Sequence, residues 1–258
     1  MPIILGSTNQ ADYFDDEQTG RPESDLVGNA GHPAAYFNFD NANTPSLTDG
    51  TLAFRVRVGS DLPQLGTFDS VLFIGMDGNS DGALDIFLGA DNKGGTPEIK
   101  IWDAGTGLNI SPSTTSVSAP PGQFSYGETS ANFDFSQVSA TIDPPATIFD
   151  LDVDGTTDRF VSFSLPFADV VSEMSRLAGI GISENSVVRF VIATSTQANS
   201  LNEDLNGIPK NFTPTLTWAQ LGGLSSPTQL PEPGTGLLAG LGLAAFACFD
   251  RFRRQARR

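Results

Sequence analysis

Cysteine and histidine are nearly missing from these 258 residues. Cys248 stands alone, so no disulfide can form within one chain and cysteine gives no reading of the redox compartment. His32 is equally alone, between Gly31 and Pro33. That excludes a histidine-rich zinc site and leaves any Ser-His-Asp triad resting on a single loop residue. His32 is expected to be a plain surface side chain. Two Trp and three Tyr make a thin supply of aromatic platforms for binding sugars. Positive charge is short as well, with 14 Lys and Arg against 30 Asp and Glu and a net charge of −16. The tail from Pro231 has five Arg against Glu232 and Asp250, a surplus of three, which leaves the body at −19. Such a body repels polyanions, so nucleic acid and anionic membrane are excluded as its partners.

What is present points to strands. Gly (27) and Pro (17) punctuate many turns, and hydrophobic residues at 39% suffice for a core. In the stretch 51–59, Leu52, Phe54, Val56 and Val58 share one face and Ala53, Arg55 and Arg57 the other, the mark of a half-buried strand. Similar short runs cover residues 34–39, 70–76, 83–89, 98–102, 131–138, 159–165 and 186–194. Val170, Val171, Met174 and Leu177 recur at helical spacing, with Gly179 where a C-cap falls. The expected fold class is all-β: one antiparallel β-sandwich, jelly-roll or lectin-like, with one short helix and a separate C-terminal hydrophobic helix. The domain reading is a leader remnant or disordered start at 1–7, the sandwich at 8–222, a linker at 223–230 and a tail at 231–258.

The 30 acids are 22 Asp and only 8 Glu, a bias toward turns and metal loops. Two segments share one spacing. Asp77, Asn79 and Asp81 alternate, followed by Gly82, Ala83 and Asp85; Asp150, Asp152 and Asp154 alternate, followed by Gly155, Thr156 and Asp158. About 10⁻³ chance matches to that pattern are expected in a chain of this composition. Ca²⁺ takes six to eight oxygens, and a tight loop can aim alternate carboxylates at one point, with Ala83 or Thr156 offering a backbone carbonyl. The spacing resembles the Ca²⁺ loops of EF-hands, dockerins and thrombospondin type 3 repeats over nine residues. It departs from the EF-hand where Leu88 and Val161 replace the bidentate Glu. The expectation is Ca²⁺ bound between strands, against metal-free Asp-rich hairpin turns. Residues 202–207 mimic the start of the pattern with Asn202, Asp204 and Asn206 before Gly207. Lys210 stands where an acid is wanted, so this segment reads as a turn.

The chain ends with Pro231-Glu232-Pro233, an uncharged apolar stretch at 234–249, and a basic end holding Arg251, Arg253, Arg254, Arg257 and Arg258. This order resembles the PEP-CTERM sorting signal of bacterial envelope proteins. The resemblance implies recognition by an exosortase-type membrane protease, processing near Pro231 to Pro233, and transient membrane anchoring through residues 234–249. It places the protein in the cell envelope or outside the cell. That family expects an N-terminal secretion signal, and the first ten residues have no basic n-region, so a start upstream is favoured.

Three functions stay open. The first is a non-catalytic, calcium-stabilised surface or biofilm-matrix protein. The second is a carbohydrate-binding module for exopolysaccharide, with Tyr13, Tyr36, Trp102, Tyr126 and Trp218 as candidate platforms. Trp102 alternates with Ile101, which leaves outward and core placement both open. The third is a two-carboxylate glycoside hydrolase, for which no recognisable catalytic motif is found.

Overall fold

A computed structural model describes residues 1–41, 44–60, 66–119, 122, 124–143 and 148–230. The strands are β1 (Ala35–Asp40), β2 (Thr51–Val58), β3 (Val71–Asp77), β4 (Ile86–Asp91), β5 (Glu98–Asp103), β6 (Ser125–Gly127), β7 (Phe133–Gln137), β8 (Arg159–Pro166), β9 (Val187–Ser195) and β10 (Thr228–Gln229). They form a four-stranded sheet in the order β1-β2-β8-β7 and a six-stranded sheet in the order β10-β9-β3-β4-β5-β6. Every pairing is antiparallel. The all-β class and the two-sheet arrangement are as expected.

The main core lies between the sheets. Phe37, Leu52, Phe54, Val56, Val161 and Phe163 from the smaller sheet meet Leu72, Ile74, Met76, Leu88, Phe190 and Ile192 from the larger. Phe54 stacks on Phe163 at 5.4 Å and meets Phe190 edge-on at 5.4 Å, so rings from both sheets interlock. The expected helix is α1 (Phe167–Glu173), which continues as one wide π-helical turn over Met174–Ala178. Gly179 ends it at φ 70°, a left-handed cap that suits glycine.

A second core covers the outer face of the six-stranded sheet. Phe73, Phe87, Trp102, Val191 and Ala193 point into it, and Leu205, Ile208, Trp218 and Leu224 close over them. A short helix, α2 (Trp218–Leu221), capped by Thr217, brings Trp218 onto that face. β3 and β4 are thus buried along their whole length, which is why their sequences are continuous apolar runs rather than alternating ones. Trp102 and Trp218 are core residues, not sugar platforms.

Three expectations are corrected. Residues 1–7 are packed on the body rather than disordered: Ile3 and Leu5 are buried, and the Ile3 N–H bonds the Ala35 carbonyl at 2.9 Å. Residues 223–230 do not behave as a linker. Leu224, Ser225 and Leu230 are buried, and β10 pairs with Val187 and Val188 at the sheet edge. The apolar side chains of Leu224 and Leu230 need cover, and the sheet supplies it. His32 is not a free surface side chain, because its Nδ1 lies 3.2 Å from Asp143 Oδ2. Among the described residues no helix is long and apolar enough to cross a membrane; the hydrophobic helix expected at 234–249 lies outside them.

Candidate cation sites and the sorting segment

The first aspartate loop is the hairpin between β3 and β4. Asp77, fully buried at the end of β3, accepts hydrogen bonds from the Asp81 N–H (3.2 Å) and the Gly82 N–H (2.9 Å). Asn79 Oδ1 accepts from the Asp81 N–H at 2.9 Å, and Asp81 Oδ1 from the Ala83 N–H at 2.9 Å. Asp85 Oδ2 accepts from the Gly78 N–H at 2.7 Å. The alternate acids therefore wrap the turn by capping its own backbone, the habit of Asx turns. Burial still pushes the Asp85 carboxyl up to about 6 and raises Asp77.

The second loop leads into β8. Here oxygens of Asp150, Asp152 and Asp158 lie within 4.8 Å of one another. Asp154 turns outward and accepts from the Thr156 N–H and hydroxyl, both at 2.7 Å. Burial, with the Asp150 carboxyl beside it, pushes Asp152 up to about 7. Asp158 is fully buried and already engaged: its Oδ2 accepts from Arg57 Nε at 2.6 Å, and its oxygens accept from the Leu151 N–H at 3.2 Å. Arg57, fully buried, further reaches Asp143 Oδ2 at 3.3 Å and the Ile148 carbonyl at 3.1 Å. So one of the three gathered carboxylates has a cationic partner within the fold.

A second gathering of carboxylates was not expected. Asp12 and Asp16 from the N-terminal segment meet Asp204 from the loop after β9, with oxygens again within 4.8 Å. All three side chains are buried, as are Glu17 and Asp25 beside them. Asp12 Oδ1 accepts from the Gly207 N–H (2.7 Å) and the Tyr13 N–H (2.9 Å). Asp204 accepts from the Leu26 and Leu205 N–H groups, both at 2.6 Å. Burial raises Asp12 and Asp204 well above the ordinary carboxylate range, and the neighbouring acids add to it. Burial likewise pushes Asp16 up to about 6 and Asp25 to about 8. Residues 202–207 do form a turn, but Asp204 within it faces acids from nearly two hundred residues earlier in the chain. A density of acids in residues 12–17 was the available signal; it has no metal-loop spacing and so looked like a polar, turn-rich stretch.

The sorting residues Pro231, Glu232 and Pro233, the apolar stretch 234–249 and the arginines from 251 onward lie outside the described residues. The described chain ends at Leu230, whose side chain is fully buried. Residues 229–254 match the family model of the PEP-CTERM protein-sorting motif. No curated protein matches the chain, and no solved structure does.

The chain therefore carries a PEP-CTERM sorting motif at its C-terminal end. The motif implies a secreted, envelope-associated protein, sorted through its tail and processed by exosortase, a membrane protein.

Proposed function

We propose that this is a non-catalytic envelope or extracellular-matrix protein whose β-sandwich is stabilised by Ca²⁺ and whose tail anchors it in the inner membrane until an exosortase acts. The observation that carries the reading is the sorting motif, which begins within the last sheet-paired residues of the body. The calcium part rests on the spacing of the aspartate loops and on the convergence of Asp150, Asp152 and Asp158. In the first loop Asp77, Asn79, Asp81 and Asp85 present oxygens to backbone N–H groups, so Ca²⁺ binding there requires those bonds to be exchanged for the ion. Calcium is plentiful where such a protein resides, and binding only the folded state raises stability.

The test is mass spectrometry of the mature chain from the bacterium that makes it, after fractionation into cytoplasm, envelope and medium. The expected product lies in the envelope or medium and ends near Pro231 to Pro233. A full-length chain with an intact tail, found only in the cytoplasm, would refute the proposal.

One observation favours a second reading, carbohydrate binding. A cleft of about 400 Å³ opens on the outer face of the four-stranded sheet, lined by Tyr36, Asn38, Arg55, Asn132 and Asp134 among others. It offers an aromatic ring with polar groups around it, the composition that sugar sites use. Exopolysaccharide binding lost on Tyr36→Ala supports this reading, and no binding by the intact chain removes it.

A further inference from the structure

We propose that Asp12, Asp16 and Asp204 form a buried site for a hard divalent cation, Ca²⁺ by its donor set, that fastens the N-terminal segment to the loop after β9. The site is separate from the two aspartate loops and does not rest on them.

The first support is geometric. Three carboxylate oxygens lie within 4.8 Å of one another. Calcium bonds of about 2.3–2.6 Å place ligands on opposite sides of the ion at roughly that distance. The donors are all oxygen, which suits a hard cation and not a thiophilic one.

The second support is independent of the gathering. Asp16 is 8% exposed, and neither of its carboxylate oxygens has a hydrogen bond of normal geometry, although the Lys210 N–H and the Asp204 carboxyl approach it. Asp12, 6% exposed, gives Oδ1 to two N–H groups and leaves Oδ2 without a donor. A buried polar atom without a partner is costly, more so when it carries charge. Folded proteins rarely leave such atoms unpaired without reason. Asn206, two residues beyond Asp204 and also buried, carries a further side-chain oxygen without a donor.

The third support is the charge balance. Asp12, Asp16, Glu17, Asp25 and Asp204 repel one another, while Lys210 draws Asp16 and Glu17. Protons shared among the acids are the competing way to neutralise them. A divalent ion does so while also giving the unpaired oxygens of Asp12 and Asp16 a partner.

The segments concerned are far apart in sequence and short of regular structure. Between residues 10 and 30, Gln18 and Val27 donate backbone bonds to Glu203 and Arg57, and Pro22–Ser24 form one short 3-10 turn. An ion shared by Asp12, Asp16 and Asp204 closes a long loop, the case in which a clip restricts the unfolded chain most.

The experiment uses the full chain, stripped with EDTA, and CaCl₂ as the probe. Equilibrium dialysis against CaCl₂ is read by elemental analysis, in wild type, Asp16→Asn and Asp152→Asn. Asp16→Asn is the informative change because no hydrogen bond of normal geometry holds that side chain, so little besides the site is altered. The wild type is expected to bind calcium, with one equivalent lost in Asp16→Asn and that same equivalent retained in Asp152→Asn. In millimolar CaCl₂ at a hundredfold excess over Kd, the wild-type melting midpoint rises by about 5–10 °C above its EDTA value. Asp16→Asn is expected to melt at or above wild type in EDTA and to lose that share of the calcium gain. Hydrogen exchange of wild-type residues 12–25 and 203–207 slows with calcium, a readout that needs no variant. Calcium binding undiminished by Asp16→Asn but abolished by Asp152→Asn overturns this site and leaves the loop reading standing. Loss only in Asp16→Asn does the reverse. No bound calcium and an EDTA-insensitive midpoint overturn the site in favour of shared protons.

Discussion

Replacing Arg57 with Met removes a charge from the inside of the fold with little loss of side-chain volume. Arg57 belongs to β2 and points to the outer face of the four-stranded sheet, yet it is fully buried. Its guanidinium serves Asp158 at 2.6 Å, Asp143 at 3.3 Å and the Ile148 carbonyl at 3.1 Å, and it lies 5.9 Å from the Phe160 ring centre. Asp158 is fully buried too, so Arg57→Met strands its charge, whereas Asp143 still reaches water. Stranding one member of a buried pair costs about 3–5 kcal/mol. For a domain of this size that is a fall in melting midpoint of about 6–20 °C. Urea unfolding followed by circular dichroism, in EDTA at pH 8, measures the loss. Two further results identify its cause. Burial holds the Asp158 carboxyl up to about 6 even with Arg57 pulling it down, so without Arg57 it rises further. At pH 5 the stranded acid takes up a proton, and the penalty shrinks. The double variant Arg57→Met/Asp158→Asn has no charge to strand and recovers most of the loss, while the amide oxygen that replaces the carboxylate still accepts the Leu151 N–H. A single-variant loss under about 1 kcal/mol, or a double variant that loses the sum of the two singles, refutes the reasoning.

Trp102→Ala empties a site packed against Phe73 (ring centres 4.9 Å apart) and is expected to cost about 3–5 kcal/mol in urea unfolding; a loss near zero contradicts its burial. Gly89→Ala is expected to abolish soluble expression or cost about 1–3 kcal/mol, because a Cβ there overlaps the Leu72 carbonyl oxygen on the neighbouring strand. Wild-type-like stability of that variant, in the same unfolding assay, disproves the close β3–β4 approach. In EDTA, stability is expected to fall as pH rises from about 5 to about 8. Burial raises Asp25 from 3.8 to about 8 and Glu128 from 4.5 to about 7. Groups raised in this way bind protons more tightly in the folded state, so their contribution is complete below the unfolded values and disappears as pH passes the folded ones. Urea midpoints across that range check it, and Glu128→Gln is expected to flatten part of the slope; midpoints that climb with pH would show the sign to be wrong.

Strand alternation foretold which residues share a face, but not whether a face is covered. In residues 51–58 it set Leu52, Phe54, Val56 and Val58 apart from Arg55 and Arg57, and the first set does fill the inter-sheet core. It placed Trp102 opposite Ile101, and that too is correct. What no single strand reports is that both outer faces carry further chain. Residues 198–224 lie over Trp102 and Phe73, while Val138 and Ile142 join Tyr36 and Phe160 on the other side. These covering segments have little regular structure, and α2 spans four residues, too few to show a helical period. The same cause hid Asp12 and Asp16. Their segment is tied by single backbone bonds and side-chain caps, which leave no repeat in the sequence, whereas the aspartate loops are legible because one turn supplies all their groups.

The body and the tail divide the chemistry between them at Leu230. The sorting match starts at Gln229, which pairs with Val187, so it overlaps the fold by two residues. Pro231 follows directly in sequence, with no polar spacer between the last buried side chain and the Pro-Glu-Pro. If processing falls near Pro231 to Pro233, the protease must engage a bond next to a folded sheet edge. β10 is the element that yields most readily there. It has two residues, pairs among the described residues with β9 alone, and loses mainly the burial of Leu230 when it peels away, about 1.5–3 kcal/mol. That opening leaves Leu224 and Ser225 in place under the second core and at the Leu5 bridge, so the sandwich need not unfold for its tail to be reached. The body can thus stay folded while β10 opens, because the two-residue β10 pairing lies where the sorting motif begins.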